Sequence, residues 1–195
     1  MIQVNGAAYR LSVFVSLILS ATASAQQPDG VSLEADSVSF DLRGGGSVYT
    51  GLTVTQGTIT INAAEGAITS DNGDLLELRG GLRVAIDAAT LTADRGTLRF
   101  ADGKLTEIEL LGDPVTLDGP VGGQSRQLRL TAGRIAYDGT RRVLRVSEGV
   151  VFVSDGLEVK NCSWTYDLSD KSVQAVAEGS SKCTATVAMN RTSVE

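Results

Sequence analysis

The chain has 195 residues, a length that suits one domain or at most two. It contains no histidine and only two cysteines, which excludes Ser–His catalysis and zinc sites built on these ligands. Its formal net charge of −6 gives it little general attraction for nucleic acid or for anionic membrane surfaces. We therefore expect no catalytic residue, no metal, no cofactor and no nucleic-acid partner.

Residues 1–25 have the features of a cleaved signal peptide. Arg10 gives a weakly positive n-region, and residues 11–19 form an apolar stretch. Ala23-Ser24-Ala25 has the small-x-small form of a signal peptidase site. A membrane span needs about 20 apolar residues, so this stretch is short for an anchor. The sequence predicts an exported mature chain that starts at Gln26, and an uncleaved membrane anchor is the alternative.

Almost all of the rest of the chain has the pattern of β-strands. Two short runs, Val31–Leu33 and Val38–Phe40, come before a turn at 44–46, and further runs of about four to six residues follow as far as residue 176. The longest irregular insert is predicted at Gly119–Ser125, and periodicity is lost after Ala177. We expect one β-domain over 26–177 and a loose tail over 178–195.

Four segments repeat one pattern, a glycine followed by two short alternating apolar runs. They begin at Gly51, Gly81, Gly112 and Gly149. The starts are 30, 31 and 37 residues apart, a spacing that indicates a stacked architecture. Because apolar residues alternate with polar ones, each strand has one buried face and one solvent-exposed face. An elongated roll of short antiparallel strands with its apolar face inward fits best.

Cys162 and Cys183 are the two cysteines. An even number in an exported chain favours a disulfide, and a loop of about 20 residues would gain about 3 kcal/mol. Two free thiols or an intermolecular bridge are the alternatives. If the bond ties the tail back over the last strand, it would block or limit stacking of copies.

Residues 31–64 resemble the N-terminal part of OstA-like proteins of the LptA type. The likeness rests on Glu34 and Asp36 in the opening turn and on the run Gly51–Asn62, and it continues more weakly to Ala175. It implies an all-β fold, an elongated, open, taco-shaped β-jellyroll. It also implies a periplasmic protein that helps to carry lipopolysaccharide (LPS) from the inner to the outer membrane, with the acyl chains in a shared groove.

The resemblance also implies partners. These are LPS, the other jellyroll transport proteins of the inner- and outer-membrane complexes, and further copies of this chain joined head to tail through free edge strands. The membrane-anchored inner-membrane member and the exported N-terminal domain of the outer-membrane member are alternatives within the family.

Alternate apolar residues are the candidates for the lining of the groove. Val31, Leu33 and Leu117 match lipid-facing positions of the family, and ordinary core packing is the alternative for every candidate. The full set is Val31, Leu33, Val54, Ile59, Ile61, Leu82, Val84, Ile86, Phe100, Val115, Leu117, Leu128, Leu130, Ile135, Tyr137, Phe152, Leu157 and Val159.

Six arginines lie within 20 residues of this acidic chain: Arg126, Arg129, Arg134, Arg141, Arg142 and Arg145. Arg141 and Arg142 are candidates for a rim that meets the phosphates of a glycolipid headgroup. The alternative, which we favour for the cluster, is a solvated strand face that balances the acidic bulk.

Two other functions remain open. One is a structural or adhesive β-solenoid without a ligand, and a closed interior filled by side chains would favour it. The other is a polysaccharide-cleaving enzyme that uses paired carboxylates such as Glu107 and Glu109. The spacing of these carboxylates fits the solvent-exposed face of a strand better than a catalytic pair.

Overall fold

The computed structural model describes residues 30–40, 46–68, 74–119, 128–154, 157–170, 172–179 and 182–187. The predicted signal peptide and nearly all of the predicted insert at Gly119–Ser125 fall outside these ranges. Within them every regular element is a strand, as predicted: β1 Ser32–Glu34, β2 Ser37–Phe40, β3 Ser47–Gln56, β4 Ile59–Ile68, β5 Leu75–Ile86, β6 Ala89–Ala101, β7 Lys104–Gly119, β8 Leu128–Asp138, β9 Val143–Ser147, β10 Val151–Ser154, β11 Leu157–Lys160, β12 Cys162–Asp167, β13 Ser172–Ala177 and β14 Thr184–Val187. None of the described residues belongs to a helix long and apolar enough to cross a bilayer.

All of these strands belong to one antiparallel sheet. From β3 to β8 each strand pairs with the next one along the chain. At the N-terminal end β1 and β2 both pair with β3, each along a different half of it. After β8 the sheet divides into two branches, β9–β12–β13 and β10–β11–β14. The described strands thus form an open, elongated roll whose end strands have no second partner among the described residues, which confirms the predicted fold class.

The central strands are longer than the short runs that the sequence indicated. β7 has 16 residues and joins two runs that were predicted as separate strands. β3 likewise continues through Gly51. Shifts in register mark the places where a strand break was expected, at residues 63–64, 80–81, 93–94 and 112–114. The irregular residues are therefore bulges that bend a continuous strand rather than turns that end it.

These bulges line up across the sheet, and we call the column that they form the crease. It contains Gly51, Ala63–Ala64, Gly80–Gly81, Ala93–Asp94, Gly112–Pro114 and Gly133. Gly51 and Gly81 have φ angles of 61° and 73°, a region that favours glycine. Three of the four glycines that begin the sequence repeats thus lie in the crease, and Gly149 lies where β9 passes to β10. The repeat in the sequence marks the bend in each strand.

Carboxylates bind backbone amides that are free of sheet pairing along the crease. Asp94 Oδ2 accepts a hydrogen bond from the Asp113 amide at 3.1 Å. At the C-terminal end the Glu178 carboxylate accepts hydrogen bonds from the amides of Glu148 and Gly149. Because an unpaired donor at a bend costs free energy, these contacts stabilise the folded shape of the sheet.

The crease divides the sheet into two walls that face each other. The first wall consists of β2, residues 47–50, 65–68, 75–79, 95–111 and 134–138, and β9, β12 and β13. The second wall consists of β1, residues 52–56, 59–62, 82–92, 115–119 and 128–131, and β10, β11 and β14. The core lies between them, and both walls contribute leucine, isoleucine and valine to it.

The C-terminal segment is better ordered than the sequence indicated. Cys162 and Cys183 are joined by a disulfide, with their Cα atoms 5.1 Å apart. Beyond it β14 pairs with β11, from Lys160 opposite Thr184 to Leu157 opposite Val187. The expectation of a loose tail excepts the part that Cys183 ties down, and residues 184–187, directly after the disulfide, form a strand that extends the second wall instead of folding over the last strand of the first.

Candidate functional site

The inner face of the second wall has an unbroken apolar row. Successive strands place their inward residues directly opposite one another, so the row crosses the whole sheet. We call it row 1: Leu33, Val54, Ile61, Val84, Leu91, Leu117, Leu130, Phe152, Val159 and Ala185. Eight of the predicted lining residues belong to this row, so the alternation in the sequence located it well.

The first wall has two matching rows. Row 2 contains Phe40, Ser47, Ile68, Leu76, Leu98, Ile108, Tyr137, Leu144, Tyr166 and Val173. Row 3 lies nearer to the crease and contains Val38, Tyr49, Gly66, Leu78, Gly96, Leu110, Ile135, Val146, Trp164 and Ala175. The sequence analysis missed most members of these rows, although they show the same alternation.

The rows are exposed at both ends of the molecule. At the N-terminal end Phe40 is 70% exposed and Leu33 is 39% exposed. At the C-terminal end Val173 is 53% exposed and Val187, beside Leu157, is 64% exposed. Large apolar side chains left open in this way usually mark a contact surface for another molecule. The apolar interior therefore continues to each free end of the sheet.

Between these ends the interior is packed. Ile61, Val84 and Leu98 are fully buried, and a Cβ atom added to Gly66 of the first wall would lie 2.5 Å from Leu52 of the second. Phe152 of the second wall stacks on Trp164 of the first with ring centroids 4.7 Å apart. Facing side chains therefore fill the interior between Gly66 and Leu52 and between Phe152 and Trp164, and a groove wide enough for acyl chains stays a prediction.

The remaining predicted lining residues lie elsewhere on the inner surface. Leu82 and Val115 are buried beside the crease, Val31 and Phe100 pack at the margin of the core, and Leu157 is half-buried in β11. Ile135 belongs to row 3 and Tyr137 to row 2. The side chain of Leu128 is outside the described part of the structure.

The long opening between the walls, opposite the crease, we call the mouth. It is bordered by residues 56–59 and 86–87 on the side of the second wall, and by residues 105, 137, 139, 142 and 168 on the side of the first. A cavity of about 330 Å³ lies there, lined by Ile59 and Ile86 on one side and by Leu105, Tyr137 and Leu168 on the other. Its polar lining includes Gln56, Asp87 and Arg142. The structure thus brings three predicted lining residues together with one predicted rim arginine.

Two hydrogen bonds connect the walls across the mouth. Gln56 Oε1 accepts a hydrogen bond from the Leu105 amide at 2.7 Å. The Val31 amide donates to the Gly103 carbonyl oxygen at 3.2 Å. Both are in the N-terminal half of the molecule, so the walls are held together there by directional contacts as well as by apolar packing.

The turn that presents the rim arginines is held by Asp138. Its Oδ1 accepts hydrogen bonds from Thr140 Oγ1 at 2.6 Å and from the Arg141 amide at 3.0 Å. The bond from the Thr140 hydroxyl is the main reason that the pKa of Asp138 is lowered. Burial raises the pKa of Tyr137, with Asp87 and Asp138 adding to this and Arg142 opposing it. Tyr137 is therefore a neutral hydroxyl at the mouth at neutral pH.

Other members of the arginine cluster lie on the outer face. Arg129 forms an ion pair with Asp118 at 3.0 Å, and Arg134 forms one with Glu109 at 2.6 Å. For these two residues the structure agrees with the solvated strand face that we favoured. Arg126 lies outside the described residues.

The paired carboxylates that an enzyme would need are also engaged on the outer face. Glu107 lies 3.3 Å from Arg99, and Glu109 is held by Arg134. Among the described residues no group of three or more acidic or cysteine side chains has the arrangement of a metal site. These carboxylates are therefore arranged as cross-strand ion pairs.

Comparison with known proteins identifies the family. The profile described as LptA/(LptD N-terminal domain) LPS transport protein matches residues 32–172, well over half of the chain. The chain belongs to this family. No curated protein matches the chain. The fold is similar to the crystal structure of LptH, the LptA homologous periplasmic component of the conserved lipopolysaccharide transport device from Pseudomonas aeruginosa. The two share 14% identity, the match covers 83% of this chain and 96% of that chain, and the TM-score is 0.43.

Proposed function

We propose that this chain, an LPS transport protein by family, is a periplasmic carrier that shields the acyl chains of LPS between its two walls during transfer from the inner to the outer membrane. The observation that supports this most directly is the course of rows 1 and 2. Both run from one free end of the sheet to the other, and they are exposed only where a partner would continue them.

The free energy of exposing acyl chains to water requires that a carrier bury them. Moving one acyl methylene from an apolar environment into water costs about 0.8 kcal/mol, so a chain of about twelve methylenes costs on the order of 10 kcal/mol. No chemical step supplies that energy in a carrier. An interior of leucine, isoleucine and valine supplies it by burial alone.

A packed interior has to admit lipid by letting its walls separate. Most contacts between the walls are made by aliphatic side chains, which are not directional and are replaced one for one by contacts with acyl methylenes. The stack of Phe152 on Trp164 and the two hydrogen bonds across the mouth are the exceptions that we find among the described residues. We infer that lipid enters along the mouth and that the predicted lining residues become its contacts as the walls part.

The mouth also suggests where the headgroup lies. Arg142 lines the cavity there, and Arg141 is on the same turn with Asp138 3.8 Å away. Changing both to glutamine should weaken LPS binding about five- to tenfold at low salt, because charge-assisted hydrogen bonds to phosphate are lost. The difference should shrink at high salt, where wild-type binding is screened as well. Displacement of labelled LPS from the purified mature chain measures both effects.

Arg145 provides the matched control for that pair. It lies on the outer face opposite Ala136, so Arg145→Gln changes the net charge without changing the mouth. An equal loss of LPS affinity in Arg145→Gln, or no loss in the double variant, would mean that Arg141 and Arg142 are solvent-exposed residues without a role in headgroup binding. Absence of LPS binding by the wild-type chain would contradict the carrier function as a whole.

The edge strands at the two ends of the sheet suggest how the chain contacts its partners. Among the described strands, β2 and β13 each pair with one strand only, as do β1 and β14. Unpaired edges of this kind recruit a strand from another molecule. We infer that the ends join the jellyroll proteins of the inner- and outer-membrane complexes or a second copy of this chain, head to tail. Because β14 extends the second wall, residues 184–187 do not cover the edge of β13.

A structural or adhesive role without a ligand is the second candidate. The filled interior favours this role, since a solenoid without a ligand fills its interior with its own side chains. Membership of an LPS transport family favours the carrier. Binding of acylated LPS decides between the two.

A further inference from the structure

Trp164 is the tryptophan of the chain, and its half-buried side chain packs against the core. It is part of row 3 on the first wall, where Val146 and Ala175 are its neighbours across the sheet. Its ring stacks on Phe152 of the second wall at an interplanar angle of 17°. The two rings therefore meet across the interior, near the C-terminal end of the apolar rows.

The indole N–H has no partner there. Trp164 Nε1 is shielded from solvent and meets no hydrogen-bond acceptor among the described residues. A buried unpaired donor is rare in folded proteins and is costly to leave unpaired. The neighbouring side chains Phe152, Val146 and Ala175 are apolar and offer the indole N–H no acceptor.

We propose that Trp164 is a ligand-binding residue whose Nε1–H donates a hydrogen bond to an oxygen of the acyl linkage of the bound lipid. The proposal rests on the carrier function and adds a specificity element to it. A lipid with ester, amide or hydroxyl oxygens near the start of its acyl chains pairs the indole donor, whereas a pure hydrocarbon leaves it unpaired. The indole donor of Trp164 therefore distinguishes acyl lipids from apolar molecules that lack such oxygens.

Binding of two probes to the full mature chain tests this. Diphenylhexatriene is a hydrocarbon without oxygen, and lipid A has acyl-linkage oxygens. Trp164→Phe keeps an aromatic ring against Phe152 but removes the donor together with the smaller ring of the indole, so its affinity for diphenylhexatriene reports the lost packing alone and should fall only slightly. Its affinity for lipid A should fall about five- to tenfold, the size expected for one buried hydrogen bond.

Phe152→Leu is the matched control, because it removes the ring stack and keeps the indole. It should lower the affinity for both probes by a similar factor. A diacyl glycerophospholipid, whose acyl linkages contain ester oxygens alone, is a third probe. A loss in Trp164→Phe for both lipids assigns the bond to an ester oxygen, and a loss for lipid A alone assigns it to an amide or hydroxyl oxygen.

A spectroscopic readout separates hydrogen bonding from packing. With a single tryptophan the wild-type chain gives one indole N–H cross-peak in a ¹⁵N–¹H correlation spectrum. Lipid A should move the proton of this peak downfield, and diphenylhexatriene should not. No selective loss in Trp164→Phe, or the same peak shift with both probes, overturns the role of Trp164 and leaves the carrier function standing. A wild-type chain that binds neither probe overturns both.

Discussion

Phe40→Asp is expected to slow the transfer of LPS from one molecule to the next by more than tenfold and to leave the fold intact. Phe40 begins row 2 at the N-terminal end and is 70% exposed, so its replacement removes little buried area. A carboxylate at this position interrupts the apolar path where two molecules would join, because an acyl chain that passes it must desolvate the charge. Transfer of labelled LPS from loaded to empty protein gives the rate.

Ser39→Asp is the control for this change. Ser39 is the preceding residue of the same strand and points to the opposite face, where it pairs with the exposed Val48. It introduces the same charge without entering the apolar path, so transfer should remain close to wild type. Equal slowing in both variants would mean that charge at the edge, rather than continuity of the interior, limits the rate.

Gly96→Ala should destabilise the fold by about 2–3 kcal/mol, the upper part of the range of about 1–3 kcal/mol for overpacking a core. Gly96 lies in row 3, and a Cβ atom there would sit 2.6 Å from the backbone oxygen of Glu109 on the paired strand. It would also lie 3.0 Å from the tip of Leu82 on the second wall. Strands β6 and β7 would have to move apart. Urea unfolding with an unchanged m-value measures the loss.

Gly66→Ala is the matched variant, because Gly66 occupies the equivalent place of row 3 on β4. There the added Cβ meets Leu52 Cδ2 at 2.5 Å and Leu76 Cδ1 at 3.2 Å, which are ends of side chains that can rotate away. We expect a cost of about 1 kcal/mol, clearly smaller than for Gly96→Ala. Equal costs at the two positions would contradict the account of how closely the strands and walls approach.

The sequence predicted which residues face inward but not how far each strand extends. Alternation with a period of two places Val54, Ile61 and Val84 on one face, and the structure has them in row 1. The same pattern does not reveal whether a glycine ends a strand or bends it. That choice depends on pairing with the neighbouring strand, so Gly51 and Gly81 looked like boundaries and are parts of the crease.

The interior was the least predictable part. Alternation marks a buried face but does not measure the distance between two such faces, so the packed state of Ile61 and Leu98 could not be foreseen. Trp164 and Tyr166 stand two residues apart in a predicted strand, and that spacing was the available signal for the first wall. β14 has the same spacing at Ala185 and Val187, but alanine contributes too little hydrophobicity for the pattern to stand out.

Site-specific photo-crosslinking to LPS in cells tests the central claim most directly. p-Benzoylphenylalanine is placed at Leu33 and at Phe40, which face inward at the exposed N-terminal end and tolerate a larger ring. The outward neighbours Ser32 and Ser39 serve as controls. The account predicts LPS adducts from Leu33 and Phe40 and none from Ser32 and Ser39. Adducts of equal yield from both faces, or from neither, would contradict an interior that carries the acyl chains.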